Sequence, residues 1–192
     1  MTLNLEHKQN LDELVEGCRA GNRKAQELVY RMLSSKMLGV CMRYAKDRFE
    51  AEDILQVAFI KIFEKVKEFK GEGSFEGWVR RIMVNTSIEF YRKNARMYPM
   101  VDLEHVPEKA VDENQMSRMN MNDLMKAIQS LSPGYRMIFN MYAIEGYSHK
   151  EIAAELNISE GTSKSQLARA RGILQDYIIN MEGSKHEAYG RK

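Results

Sequence analysis

Hydrophobic side chains recur every three or four positions along most of the chain, which is the period of an α-helix. The strongest repeat lies in residues 51–69, AEDILQVAFIKIFEKVKEF, and predicts a helix with one apolar face. That face contains Ile54, Leu55, Ala58, Ile62 and Val66. Only 3 prolines and 12 glycines occur among the 192 residues, so few positions resist helix formation. The sequence therefore predicts an all-α protein.

Residues 10–33 predict two helices that meet at Gly21. An apolar row on the first helix contains Leu11, Leu14 and Val15, and one on the second contains Leu28 and Met32. We therefore expect these five side chains to be buried where the helices pack together.

A glycine-rich stretch, KGEGSFEG at residues 70–77, ends the helical pattern. Ser74 is suited to cap the next helix, because a serine oxygen accepts a hydrogen bond from an unpaired amide of the first turn. That helix is predicted to run from about Phe75 to Arg96.

Residues 96–115 interrupt the pattern with two prolines and five acidic side chains. Such a composition is typical of a solvated linker and marks a domain boundary. We therefore predict a helical domain at residues 1–97, a flexible acidic linker at 98–116 and a second helical domain at 117–181. A disordered tail is predicted at residues 182–192.

Residues 151–174, EIAAELNISEGTSKSQLARARGIL, predict two short helices joined by a tight turn. Ala153 is small where the helices would cross, Asn157 tolerates a left-handed conformation, and Ser159 can cap the second helix. In a helix-turn-helix unit the second helix enters the major groove of duplex DNA. Its side chains suited to phosphates and base edges are Thr162, Ser163, Lys164, Gln166, Arg169 and Arg171. The alternative is an ordinary helical hairpin with the same apolar positions.

A second basic segment spans residues 78–97, with five basic side chains and one acidic side chain, Glu89. The aromatic residues within or beside it are Phe75, Trp78, Phe90, Tyr91 and Tyr98. Aromatic rings receive unstacked bases and basic groups follow phosphates, so this segment predicts binding of single-stranded DNA. The alternative is that Trp78, Ile82 and Phe90 are core residues at helical spacing.

The formal net charge of +2 does not by itself indicate a nucleic-acid partner, so any basic surface has to be local. The four histidines are scattered and are interpreted as surface residues. We expect no enzymatic activity, cofactor or metal site, because no nucleophile–base set and no Cys/His ligand spacing occurs. Cys18 and Cys41 are expected to be buried free thiols. The absence of an apolar signal peptide or membrane span predicts a cytoplasmic protein without membrane insertion.

The segments AEDILQVAFIKIFEKV, FKGEGSFEGWVRRIMVNTSIEFYRKN and LSPGYRMIFNMYAIEGYSHKEIAAELNISEGTSKSQLARAR, in this order, resemble the bacterial sigma factors of the extracytoplasmic-function (ECF) type. The resemblance covers residues 10–178. It implies an N-terminal domain that binds the clamp of the β′ subunit of core RNA polymerase and melts the minus-ten promoter element. It also implies a C-terminal domain that binds the β-subunit flap and reads the minus-thirty-five element. Promoter DNA, core polymerase and an anti-sigma factor are the partners that the resemblance implies.

The resemblance also assigns site residues. Those matching the polymerase-binding helix are Asp53, Gln56, Val57 and Lys61. Those matching the minus-ten region are Lys70, Ser74, Phe75, Trp78, Arg81, Asn85, Arg92, Lys93 and Arg96. Asn85 is expected to read an extruded base, and the six polar residues of the second helix above match the minus-thirty-five reader. Val57 stands where the family usually has an acidic residue, and Gly172 where it usually has a basic one.

Two other functions stay open on the sequence. A stand-alone helix-turn-helix regulator would dimerise on a palindromic operator without polymerase. A helical adaptor would bind proteins alone, and the basic residues of both helices would then be dispensable. Dimerisation in solution would favour the regulator, whereas the acidic linker and the unpaired-strand helix argue against it.

Overall fold

A computed structural model describes the backbone of residues 2–94 and 121–189, and the side chains of residues 11–94 and 122–181. The described backbone contains helices and no strand, which confirms the predicted all-α fold. The chain divides into two compact units, each with its own hydrophobic core.

The two units are Met1–Phe90 and Tyr91–Lys192, so the division falls near the end of one helix. The predicted linker, residues 98–116, lies outside the described residues. The predicted boundaries of the two domains therefore stay predictions.

Residues 2–94 fold into four helices and a short 3₁₀ turn. They are α1 (Thr2–Arg19), α2 (Arg23–Met42), α3 (Arg48–Lys65), the turn Val66–Glu68, and α4 (Phe75–Asn94). The apolar face predicted for residues 51–69 is confirmed, because all five of its side chains are buried. Gly17 lets α1 and α2 approach closely, since a Cβ at this position would lie 2.7 Å from the Cβ of Ala25.

The burial predicted for Val15 is confirmed, Leu11 and Leu14 are only partly buried, and the burial predicted for Leu28 and Met32 is wrong. Leu28 is 41% exposed and Met32 is 53% exposed. Helix α2 buries a neighbouring row instead, formed by Ala25, Val29, Leu33, Met37 and Val40. Leu28 and Met32 each precede a member of this row by one position, which turns them about 100° away from the core.

Caps and one arginine fix the ends of these helices. The side chain of Asn22 accepts hydrogen bonds from two amides at the start of α2, and Asp47 caps α3. Arg19 of α1 binds both ends of the 3₁₀ turn: its Nε donates to the carbonyl of Val66 at 3.5 Å, and its Nη2 donates to the carbonyl of Phe69, just after the turn. A cation thus satisfies the carbonyls that end the segment before the glycine-rich loop.

Both cysteines are buried free thiols, as predicted. Cys41 is fully buried beside Met83, with 3.9 Å between the two sulfur atoms. Burial raises the pKa of the Cys41 thiol to about 12, so this side chain is a neutral core residue at ordinary pH.

Residues 121–189 form a second set of helices. They are α5 (Met121–Ser130), α6 (Pro133–Phe139), the π-helical turn Asn140–Ile144, α7 (His149–Leu156) and α8 (Glu160–Tyr189). Their core contains Ile128, Leu131, Ile138, Met141, Ile152 and Leu174. Helices α6 and α7 both pack on α8. The first residues of α8, Glu160 and Gly161, are exposed.

The last helix differs from the prediction of a disordered tail at residues 182–192, because its backbone stays helical to Tyr189. Residues 182–189 include Glu182, Lys185 and Ala188, which favour a helix, and Gly183 alone does not end it. Residues 190–192 lie outside the described residues.

Candidate nucleic-acid interfaces

Helix α4 presents one exposed stripe of polar side chains. Arg81, Asn85, Glu89 and Lys93 are exposed at intervals of four residues, and Arg92 is exposed beside them. The opposite face is buried through Val79, Met83, Val84, Ile88 and Tyr91. The structure therefore brings four predicted minus-ten residues onto one side of α4. Arg96 lies outside the described residues.

The loop before α4 rests on an aromatic cluster formed by Phe69, Phe75 and Trp78. The ring centroids of Phe75 and Trp78 are 5.7 Å apart at 25°, and Phe69 lies 5.3 Å from Phe75 and 5.6 Å from Trp78. Phe75 is 4% exposed, so the structure places this predicted contact residue in the core. Trp78 keeps part of its surface exposed.

The loop itself is open to solvent. Lys70 and Ser74 are exposed, and Gly71 and Gly73 adopt φ angles of +78° and +84° that other residues rarely take. The Ser74 hydroxyl accepts a hydrogen bond from the amide of Gly77 at 3.0 Å, which confirms the predicted cap. The loop therefore leads from Phe69 of the aromatic cluster to the start of α4, the helix that carries the exposed stripe.

Glu89 introduces a negative charge into the stripe, and the structure pairs it with Lys61 of α3. The Lys61 Nζ lies 2.5 Å from Oε2 of Glu89. Lys61 was predicted to contact polymerase; its ammonium group is directed to α4, and the polymerase contact stays a prediction. The pair offsets an acidic charge that would otherwise repel a phosphate backbone. Sequence spacing does not indicate this contact, because 28 residues separate its members.

The predicted helix-turn-helix is present in α7 and α8. Ser148 and Glu151 form a capping box at the start of α7, which lowers the pKa of the Glu151 carboxyl through hydrogen bonds to Ser148. Asn157 ends α7 with φ 55° and ψ 51°, the left-handed conformation predicted for the turn. Ser159 then accepts a hydrogen bond from the Thr162 amide at 2.9 Å, which confirms the cap of α8.

The predicted contact residues of α8 divide between two faces. Lys164 and Arg169 are exposed, and Arg171 is partly exposed. Ser163 and Gln166 are 0% and 5% exposed, so their side chains lie inside the unit rather than on its surface. Thr162 is partly exposed, and its hydroxyl lies 2.8 Å from that of Ser159.

The side of α8 that faces away from the core consists of small residues. Gly161, Ser165, Ala168 and Gly172 follow one another at intervals of four, three and four, opposite the buried row that contains Leu167 and Ala170. Lys164 and Arg171 flank this face on one side and Arg169 on the other. Such a helix can approach another surface closely while its cations reach outward on both sides.

His149 was interpreted as a surface residue, and it is partly exposed, but its ring also makes specific contacts with neighbouring elements. Its ring stacks on Tyr142 with the centroids 4.6 Å apart, and its Nδ1 lies 2.9 Å from the hydroxyl of Ser163. Burial, together with the positive charges of Lys164 and Arg171, lowers the pKa of the His149 imidazole, although Glu160 acts in the opposite direction. No period or motif in the sequence indicates this arrangement.

Helix α3 carries the predicted polymerase contacts on its outer side. Asp53, Gln56 and Val57 are exposed there, together with Phe49 and Ile60, which are 80% and 59% exposed. A groove of about 450 Å³ opens beside Gln56, between α2 and α3. It is lined by Tyr30, Ser34, Leu38, Arg48, Glu52 and Gln56. Of the apolar members of this surface, Val57 was assigned from the resemblance, whereas Phe49 and Ile60 were not predicted from the sequence.

Two negative findings apply to the described residues alone. Among them, no helix has the length and apolar character needed to cross a membrane. The same part of the chain holds no group of three or more His, Cys, Asp or Glu side chains arranged to bind a metal ion.

Two family models match the chain, one in each unit. The model described as Sigma-70 region 2 matches residues 29–97, and the model described as Sigma-70, region 4 matches residues 121–174. The first match contains the exposed stripe of α4, and the second contains the helix-turn-helix. Together the two matches cover well over half of the chain.

Named relatives agree with these models. The ECF RNA polymerase sigma factor SigE of Mycolicibacterium smegmatis is 32% identical over 168 residues, which are 84% of this chain and 64% of that protein. The chain thus spans slightly less than two thirds of this relative. The ECF RNA polymerase sigma-E factor of Haemophilus influenzae is 27% identical over 177 residues, covering 86% of this chain and 93% of the relative.

The chain also resembles a solved structure, but this likeness is weaker than the family matches. The co-crystal structure of the sigma factor RpoE with the anti-sigma factor NepR from Bartonella quintana gives a TM-score of 0.46 at 23% identity. It covers 80% of this chain and 96% of that chain. At these values the likeness supports no further conclusion.

Proposed function

This chain belongs to the sigma-70 family as an ECF-type sigma factor, and from that premise we propose that it binds core RNA polymerase and directs promoter-specific initiation of transcription. One observation carries the proposal: a region 2 match precedes a region 4 match along the chain, and each contains a helix with exposed basic side chains. One module would bind the strand that opens, and the other would read the duplex upstream.

In the proposed minus-ten site, the exposed stripe of α4 meets the unpaired strand. Asn85 is the base reader, because its amide offers both a donor and an acceptor from an exposed position. Arg81, Arg92 and Lys93 bind phosphates along the same face. The buried Phe75 supports the loop and Trp78 from below, so the aromatic surface left for a base is the exposed part of Trp78.

In the proposed minus-thirty-five site, the small outward face of α8 enters the major groove. Lys164, Arg169 and Arg171 would contact phosphates or base edges from the two sides of that face. Ser163 and Gln166 support the helix from within instead of contacting DNA. Ser165 and Ala168, which the sequence-based prediction omitted, lie on the face that would be closest to the bases.

The outer side of α3 is the proposed surface for the polymerase β′ clamp. Asp53 and Gln56 would bind through polar contacts, and Val57 with Ile60 would add apolar area where the family usually has an acidic residue at position 57. Lys61 would contribute through its ion pair with Glu89 on α4 rather than by direct contact. The β flap would bind the C-terminal unit.

The sigma-70 family is not an enzyme family, and we propose that this chain performs no catalysis of its own. Polymerase supplies the chemistry, and it also fixes the separation between the two DNA-binding modules. Fixing them together raises their effective concentration on one promoter, so a chain that binds DNA weakly alone becomes selective in the holoenzyme. We place the protein in the cytoplasm, where an anti-sigma factor would control its access to polymerase.

Run-off transcription tests the proposal. The purified chain is added to sigma-free core polymerase of the bacterium that encodes it, with a pool of genomic fragments as the template. Discrete start sites that require the chain are expected, each preceded by shared sequences near minus ten and minus thirty-five. If core polymerase neither binds the chain nor initiates, and the chain alone shifts a palindromic fragment as a dimer, the stand-alone regulator is the correct function.

A further inference from the structure

Four side chains from three segments meet beside the recognition helix, and two of them have no part in the proposed function. Tyr142 comes from the π-helical turn, His149 from the first turn of α7, and Ser163 and Arg171 from α8. A π-helical turn is an uncommon element that often occurs at functional positions. The cluster therefore connects the recognition helix to α7 and to the π-helical turn.

The first link fixes α8 against α7. The hydroxyl of Ser163 is fully buried, so it needs a partner within the protein. Nδ1 of His149, 2.9 Å away, is that partner. Because the environment of His149 lowers its pKa, the imidazole is neutral at neutral pH, and its unprotonated Nδ1 can accept a hydrogen bond from the hydroxyl.

The second link restrains a basic side chain. The Tyr142 ring stacks on His149 at an interplanar angle of 24°, and the guanidinium carbon of Arg171 lies 5.7 Å from the centre of the same ring. A cation above an aromatic face is attracted by the π electrons, and Arg favours this arrangement. An arginine held in one orientation loses less conformational freedom when it binds a phosphate. The position of Tyr142 in turn depends on the ring that stacks on it.

We propose that His149 is a positioning residue for duplex recognition, which seats α8 through Ser163 and orients Arg171 through Tyr142. The inference rests on the proposed function, since it assumes that α8 reads duplex DNA. It assigns no DNA contact to His149 itself. It adds a route by which a residue outside the recognition helix controls a phosphate contact within it.

Variants of the full-length chain separate the two links. His149→Asn keeps an acceptor close to the position of Nδ1 but removes the ring, whereas His149→Phe keeps the ring and removes the acceptor. Ser163→Ala removes the buried hydroxyl. Tyr142→Phe and Tyr142→Leu are a matched pair that respectively keep and remove the aromatic ring.

The measurement is fluorescence anisotropy with a labelled duplex that carries the minus-thirty-five element found by run-off transcription, repeated between about 50 and 200 mM salt. His149→Asn and Tyr142→Leu are expected to weaken binding about five- to tenfold and to lower the salt slope by about one, the effect of losing one phosphate contact. Tyr142→Phe is expected to bind as the wild type does. The double variant His149→Phe/Ser163→Ala keeps the ring and removes both hydrogen-bonding groups. Its affinity and salt slope are expected to return to the wild-type values.

A double-mutant cycle tests whether His149 acts through Arg171. His149→Asn is expected to change the affinity of Arg171→Ala less than about twofold, although it weakens the wild type much more. Additive losses would overturn the inference. Wild-type affinity and salt slope in His149→Asn would also overturn it. In that case the hydrogen bond to Ser163, which asparagine keeps, would account for the whole role of His149, and that role would serve stability alone.

An NMR readout distinguishes failure of this inference from failure of the proposed function, since it needs no DNA. The Nε–H resonance of Arg171 reports its position near the Tyr142 ring in the free chain. This resonance is expected to shift in His149→Asn and Tyr142→Leu and to stay in place in Tyr142→Phe. An unchanged resonance in His149→Asn overturns the positioning role. A shifted resonance in a chain that directs no initiation in the run-off assay overturns the DNA-reading function instead.

Discussion

Helices α4 and α8 are both basic on their exposed sides, but they present different surfaces. The stripe of α4 begins beside an aromatic cluster and places Arg81 and Asn85 outward four residues apart. The outward face of α8 is small, and its cations stand at the margins. A helix that captures an unpaired base needs aromatic and amide groups near its surface, whereas a helix that enters a groove needs a narrow face between phosphate-binding side chains.

The two helices also differ in how they are supported. Helix α4 is fixed at its start by buried rings and by a loop whose preceding carbonyls are bound by Arg19. Helix α8 is fixed by a cap, a left-handed residue and the contact of His149 with Ser163. Substitutions in the residues that fix α4 should therefore unfold or loosen a tertiary cluster. Substitutions in the residues that fix α8 should act more locally.

The largest expected effect is in the aromatic cluster. Phe75→Ala should lower the free energy of unfolding by about 3–5 kcal/mol, because it leaves a cavity under Trp78. Urea denaturation followed by the fluorescence of Trp78, the single tryptophan, measures this change. The exposed Asn85→Ala is the control and should stay within about 0.5 kcal/mol of the wild type. A small loss in Phe75→Ala would show that the ring is not part of the support.

Arg19, which binds two carbonyls just before the loop, should have the next largest effect. Arg19→Ala is expected to lower the free energy of unfolding by about 1–3 kcal/mol, because two carbonyls lose a charged donor. Arg31→Ala is the matched control, since Arg31 forms an exposed ion pair with Glu27 that contributes about 0.3–0.5 kcal/mol. Equal losses in the two variants in urea denaturation would contradict the role given to Arg19.

Arg169, at the edge of the small face of α8, should affect DNA binding rather than stability. Arg169→Ala should weaken binding to a minus-thirty-five duplex about threefold or more and lower the salt slope by about one, because one phosphate contact is lost. Anisotropy titrations at several salt concentrations measure both quantities, and Arg31→Ala again serves as the control. An unchanged slope would remove Arg169 from the phosphate-contact set.

The smallest expected effect is in the turn of the helix-turn-helix. Asn157 has a φ angle of 55°, so Asn157→Ala should lower the stability of the C-terminal unit by about 1 kcal/mol. Asn157→Gly should be as stable as the wild type or more so, because glycine adopts this conformation without strain. Thermal unfolding followed by circular dichroism compares the three proteins. Equal stability of the alanine and glycine variants would contradict a left-handed turn.

Features set by neighbouring residues could be predicted from the sequence. Ser74, Asn157 and Ser159 were assigned correctly, because caps and left-handed turns depend on interactions within a few residues. The periodic face of α3 was also correct, since its buried residues recur at helical spacing.

Features set by distant segments could not be predicted. Leu28 and Met32 share a helical period with core residues, and only the position of the neighbouring helices decides which row is buried. Ser163 and Gln166 are polar and were therefore expected at the surface, yet a histidine 14 residues away provides a partner for Ser163 inside. Phe75 was assigned to DNA because it is aromatic beside a basic helix, and its burial follows from contacts with Phe69 and Trp78.

The most direct test of the two-module account is strand opening by reconstituted holoenzyme on a fully paired promoter that carries a fluorescent base analogue in the minus-ten element. With Asn85→Ala, the account predicts that the holoenzyme assembles and binds the promoter, while the signal for the opened strand falls about tenfold or more through loss of one base contact. Opening at the wild-type rate and extent would contradict the claim that the exposed stripe of α4 captures the unpaired strand.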